Sequence, residues 1–110
     1  MKLTTYACST LVLPAMLLLA MSAPAFANPF PSGNVMAGQK LFDDHDCNQC
    51  HNTIMGGDGY KIFTRLTRKI NTPDALIAQI GMCSGNVNAH FTSKETQDLA
   101  AYLNTFYKFK

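Results

Sequence analysis

The segment Cys47-Asn48-Gln49-Cys50-His51 brings two thiols and an imidazole together in consecutive positions. Thiolates are nucleophiles and soft metal ligands, and a neutral imidazole is the commonest protein ligand for metals. The C-x-x-C-H order suits covalent attachment of a haem. Two sulfurs at this spacing can reach the two vinyl groups on one side of a porphyrin, and the next residue then lies beneath the iron as its proximal ligand. Three other chemistries use similar residues. A zinc site needs four ligands, which Cys47, Cys50, Cys83 and one of His51 or His90 could supply, but no second C-x-x-C pair stands at a regular spacing. A thioredoxin-type redox pair needs a βαβ setting, and no strand pattern is visible. A structural Cys47–Cys50 disulfide would close a very short loop with little entropic benefit.

The start of the chain bears on which chemistry applies. Lys2 is followed by an apolar run over residues 11–21 and by Ala25-Phe26-Ala27, small residues at the two positions a signal peptidase reads. The run is too short for a spanning helix, which needs about 20 residues. The expectation is a secretory signal peptide over residues 1–27, cleaved after Ala27, and an exported, periplasmic chain of residues 28–110 with no stable membrane insertion. A domain this small makes a thin core and often needs a staple such as a metal or cofactor. Cys8 leaves with the signal peptide, and Cys47, Cys50 and Cys83 remain. An odd number fits a disulfide framework poorly unless two of the three are engaged otherwise.

Charge excludes more than it assigns. The nine basic and seven acidic residues give a net charge of +2, and there is no lysine-arginine run to engage nucleic acid. Asp43, Asp44 and Asp46 precede the cysteine pair. Lys61, Arg65, Arg68 and Lys69 follow it, at spacings that share a face if that stretch is helical. Such a face is ordinarily solvated; the sharper readings are a docking patch for a redox partner and a clamp on haem propionates.

The elements that must position the motif read as helices. Residues 28–33, with two prolines and a glycine, form an irregular lead-in. A short helix is expected over residues 34–43, with Asn34 or Ser32 near its start and Val35, Gly38, Leu41 and Phe42 on one face. The glycine-rich stretch 55–59 is a loop, and residues 60–70 could form a helix despite their β-branched residues and charges. Thr72 can cap a helix with Pro73 at its first position; that helix carries Leu76, Ile77 and Ile80 and is expected to stop at Gly81. Residues 82–91 then read as a polar loop. Thr92-Ser93-Lys94-Glu95 fits a capping box. Behind it Leu99, Tyr102, Leu103 and Phe106 make one buried stripe. The fold class is all-α: a domain of three to five short helices around one covalent haem.

These residues resemble the class I, cytochrome c-like family over nearly all of residues 28–110. Gly38-Gln39-Lys40-Leu41-Phe42 is similar to that family's N-terminal helix, and Leu99-Ala100-Ala101-Tyr102-Leu103-Asn104 to its C-terminal one. The resemblance implies a tight crossing in which Gly38 and Phe42 meet Tyr102. It implies one haem c on Cys47 and Cys50 with His51 as axial ligand. The chain departs from the family in having no Gly-Pro after the motif and no Met-Pro before the last helix, where the sixth ligand is usually found. From Met82-Cys83 onward it is similar to the sphaeroides haem protein and cytochrome c″ group, in which the residue before a cysteine supplies that ligand. The equivalent residue here is Met82. The partner cysteine of that group falls at Phe91, which leaves Cys83 free to be a thiolate ligand, a buried thiol or an intermolecular bridge in a dimer. His90 and Asn88 are further candidates for the sixth position, as is an open site.

Two functions follow. The first is a monohaem electron carrier, exchanging single electrons with redox protein partners. The second is a gas-binding haem protein, or a haem subunit of a larger heteromeric complex, with Cys83 or a labile ligand on the distal side. No catalytic triad, phosphate loop or paired carboxylates placed for acid–base work are present, so catalysis by this chain alone is not expected.

Overall fold

The computed structural model describes residues 28–110. Among these residues there are five helices and no strand: α1 Val35–Asp44, α2 Asn48–Ile54, α3 Lys61–Thr64, α4 Pro73–Asn86 and α5 Ser93–Tyr107. None is long and apolar enough to cross a membrane. The expected signal peptide lies outside the described residues.

Local chemistry sets the helix starts. The Asn34 side chain accepts from Ala37 N at 2.9 Å, so Asn34 is the cap of α1. The Thr72 hydroxyl accepts from Ala75 N at 3.1 Å with Pro73 opening α4. The capping box of α5 forms as its sequence predicts: Glu95 N donates to Thr92 Oγ1 at 3.1 Å and Thr92 N to Glu95 Oε2 at 2.8 Å.

α1 and α5 cross at very close range. A Cβ built on Gly38 would lie 1.9 Å from the Asp98 carbonyl oxygen and 2.8 Å from Tyr102 Cβ, so only glycine fits. One turn on, the Phe42 ring meets Tyr102 edge-on, with centroids 5.5 Å apart at 60°. This is the glycine–aromatic crossing that the family resemblance implies. Asp98 fastens it from α5: its carboxylate accepts from Asn34 N at 2.7 Å and pairs with Lys94. Around the crossing Phe30, Phe42, Leu76, Leu99 and Leu103 are buried, each contributing roughly 1.5–3 kcal/mol of transfer free energy.

Three elements differ from the sequence expectation. The helix expected over residues 60–70 is a single turn. Arg65 leaves it in an extended conformation (φ −61°, ψ 147°), and the Arg68 guanidinium folds back to donate to the Phe63 carbonyl at 3.3 Å. Lys61, Arg65, Arg68 and Lys69 therefore do not share a helix face; Lys61 pairs with Asp58 instead. A short helix, α2, starts inside the cysteine motif. It has no buried residue, hence no apolar period by which to find it.

The third difference is the length of α4. It passes through Gly81 and ends at Asn86, so Met82, Cys83 and Ser84 are helical rather than part of a loop. A helical glycine costs about 1 kcal/mol but does not oblige the chain to turn. The chain leaves the helix at Asn88, which takes the left-handed conformation at φ 54°. Asparagine tolerates that region well. Ser84 locks the exit, its carbonyl accepting from Ala89 N at 2.9 Å and its hydroxyl from Phe91 N at 3.1 Å.

Candidate functional site

Beneath the α1–α5 crossing lies a cavity of about 360 Å³. α2 and the residue before it contribute Cys47, Cys50 and His51; α4 contributes Leu76, Gln79, Ile80, Cys83 and Asn86; α5 contributes Leu99, Leu103 and Tyr107. The stretch after α3 adds Arg65, Arg68 and Lys69. The sequence motif is thus gathered on a mainly apolar hollow of the size that holds small molecules and cofactors.

His51 is half-buried, and burial lowers its pKa, which favours the neutral imidazole that metals bind. The Phe63 ring stands edge-on to it, at 5.3 Å and 82°. Gly59 packs behind it: a Cβ there would come within 2.7 Å of His51 Cβ. Asn52 Oδ1 accepts from Gly59 N at 2.7 Å and holds that loop in place. His51 Nδ1 is buried with no hydrogen-bond partner.

The Cys47 thiol is pushed up to about 11, chiefly by burial and then by Cys83, with Asp43 and Asp46 adding to it against one backbone hydrogen bond. A redox-active C-x-x-C pair requires the opposite shift. Among the described residues Cys47, Cys50 and Cys83 form no disulfide with one another. Among the described residues no group of three or more His, Cys, Asp or Glu side chains converges on a metal position, so the zinc arrangement is not assembled.

The distal candidates separate. Met82, expected as the sixth ligand, stands outside the cavity wall with 66 % of its surface exposed. Cys83 is in the wall, and Gln79 Nε2 donates to its sulfur at 3.3 Å. Asn88 and His90 are exposed, both at positive φ, and neither lines the cavity. His45, outside the cavity wall, packs edge-on against Phe91 at 5.0 Å. Sequence reading missed Gln79 and Asn86. The helical spacing of Leu76, Ile80, Cys83 and Val87 carries the signal, since it continues the α4 face past Gly81.

The fit to a haem rests on this wall. Two cysteines and a half-buried imidazole, its pKa lowered by burial, adjoin an apolar hollow bordered by cations. A helical frame closed over a C-x-x-C-H cavity defines a small c-type cytochrome domain. Residues 33–103 match the family described as cytochrome C oxidase, cbb3-type, subunit III, and the chain belongs to that family. Membership brings a covalently bound haem c with its iron, and with it the role of a haem-based electron carrier or haem subunit. No curated protein and no solved structure matches the chain.

Proposed function

We propose that the chain is a periplasmic monohaem cytochrome that passes single electrons between redox partners, free or as the haem subunit of a larger complex. The observation that carries this reading is the convergence of Cys47, Cys50 and His51 on one apolar cavity. Cys47 and Cys50 would hold the haem covalently, and His51 would be its proximal ligand. When bound, the haem supplies reversible one-electron chemistry at iron. The chain's residues supply the setting. Phe63 and Gly59 limit how the imidazole can turn, and Leu76, Ile80, Leu99 and Leu103 keep water from the hollow. The half-buried wall lowers the local dielectric, through which the protein tunes potential.

The distal side favours Cys83 as sixth ligand, because it is in the wall and Met82 is not. Iron itself lowers a thiol's pKa enough to ionise it. Met82 would require the last turns of α4 to unwind.

The test begins with haem retained after denaturing electrophoresis. The parent is expected to stain, and Cys47→Ala/Cys50→Ala to lose all covalent haem. Optical and paramagnetic-resonance spectra follow, oxidised and reduced, with and without NO or CO. A low-spin signature indifferent to the gases supports electron transfer. Ready gas binding on reduction would assign the gas-binding role instead. Cys83→Ser is expected to change the ferric spectrum; if Met82→Ala changes it and Cys83→Ser does not, the distal assignment passes to Met82.

A further inference from the structure

The cavity wall is cationic and has no balancing acid. Arg65, Arg68 and Lys69 line it, and no aspartate or glutamate does. The ion pairs among the described residues engage Lys40, Lys61 and Lys94, and none engages these three. Charges left without counter-ions beside an apolar hollow are unfavourable, and the penalty is relieved by an anion.

The two guanidiniums are held in different ways. Arg68 is fixed: its Nε donates to Asn71 Oδ1 and its Nη1 to the Phe63 carbonyl, both at 3.3 Å. The same group lies over the Tyr107 and Phe109 rings, at 5.4 and 5.7 Å from their centroids. Arg65 is under-used. Its Nη1 has the Met55 sulfur at 3.7 Å, a weak acceptor, and its Nε is buried with no partner at all. Both act on one neighbour, since the Tyr107 hydroxyl, raised by burial, is pulled back by Arg68 and by Arg65. A planar fork with unused donors is the geometry that takes a carboxylate bidentately.

We propose that Arg65 and Arg68 are positioning residues that receive the carboxylates of the bound haem, so that the carboxylate-bearing edge of the cofactor lies against residues 65–69. This rests on the haem reading above and deepens it. Lys69, exposed at the same border, adds a point charge there. The reacting iron gains positive charge when oxidised. With the guanidiniums in place the carboxylates are neutralised; without them, uncompensated negative charge stabilises the oxidised form and the midpoint potential falls.

The experiment is a spectroelectrochemical titration of the full-length holoprotein and four variants: Arg65→Gln, Arg65→Gln/Arg68→Gln, Arg65→Lys and Lys61→Gln. Covalent haem content is expected to stay at the parent level in all. The potential is expected to fall in Arg65→Gln, to fall further in the double variant, and to recover part of the way in Arg65→Lys, which keeps the charge and loses the fork. Lys61→Gln, on a cation paired with Asp58 and outside the wall, is expected to leave it unmoved. A double variant at the parent's potential overturns the clamp, as does a Lys61→Gln shift as large as that of Arg65→Gln. Where loss of the Arg68 contacts prevents folding, Arg65→Gln alone decides: an unmoved potential overturns the clamp. A parent chain without covalent haem is a different failure, which overturns the functional reading itself.

Discussion

The α1–α5 crossing and the cavity wall treat buried polar groups in opposite ways. At the crossing Asp98 is only 6 % exposed, and its carboxylate is met by Asn34 N and by Lys94. Ser84, 8 % exposed, is likewise satisfied through Phe91 N. In the wall His51 Nδ1 and Arg65 Nε are buried without partners. Buried polar atoms that lack partners are costly and uncommon. The difference separates the two jobs of a small domain. The polar groups of the crossing are met by the chain's own atoms, whereas the wall has buried polar atoms that no other group of the chain meets.

The comparison can be broken most forcefully at Gly38. A Gly38→Val substitution drives a side chain into the Asp98 carbonyl and is expected to cost about 3 kcal/mol, near the top of the range for overpacking. A chemical denaturation midpoint equal to the parent's would mean that the two helices do not meet there. Asp98→Ala removes the tie between the cap of α1 and α5, and about 2 kcal/mol should be lost with its charge-assisted bonds. Asp98 also predicts a pH dependence. Its pKa is lowered by the Lys94 contact and then by Asn34 N, against burial. The folded state therefore binds that proton less readily than the unfolded chain does. The stabilisation is present above the ordinary carboxylate range and is lost as pH falls through the lowered folded value. Stability measured from neutral pH downward should fall more steeply in the parent than in Asp98→Ala.

The smallest effect tests the wall. Nothing lies within 4 Å of a Cβ built on Gly81, so Gly81→Ala should stabilise α4 by about 0.5–1 kcal/mol. Thermal denaturation of the holoprotein checks this. A loss instead of a gain would mean that α4 is broken at Gly81 once haem is bound, and would bring Met82 back as a ligand.

The helices were legible because their signals are local and periodic, and the crossing of α1 and α5 was what the family resemblance implies. Asn34, Thr72 and the Thr92–Glu95 box each mark a helix start through one side-chain oxygen, and Leu99, Tyr102 and Leu103 repeat at helical spacing. The motif residues were legible through fixed spacing alone. The end of α4 was not, because Gly81 can either stop a helix or continue one, and the choice is made further on by Ser84 and Asn88. The direction of the Met82 side chain followed from that choice. The short α3 was hidden for a related reason: Arg65 and Arg68 have good helix propensity, and what ends the turn is their tertiary contacts with Met55 and the Phe63 carbonyl.

The tie between Asn34 and Asp98 spans 64 positions. A chain emerging from its N-terminus therefore exposes Cys47, Cys50 and His51 long before α5 exists to pack on α1. Contacts that distant in sequence form late, after much loop-closure entropy has been lost. During that interval the thiols stand on open chain, where a modifying enzyme can reach them, and the arrival of α5 shuts the hollow around whatever has been attached. The expected order of biogenesis is therefore cofactor ligation first and helix docking second, and haem attachment to a prefolded apoprotein slower than to an unfolded one would show it.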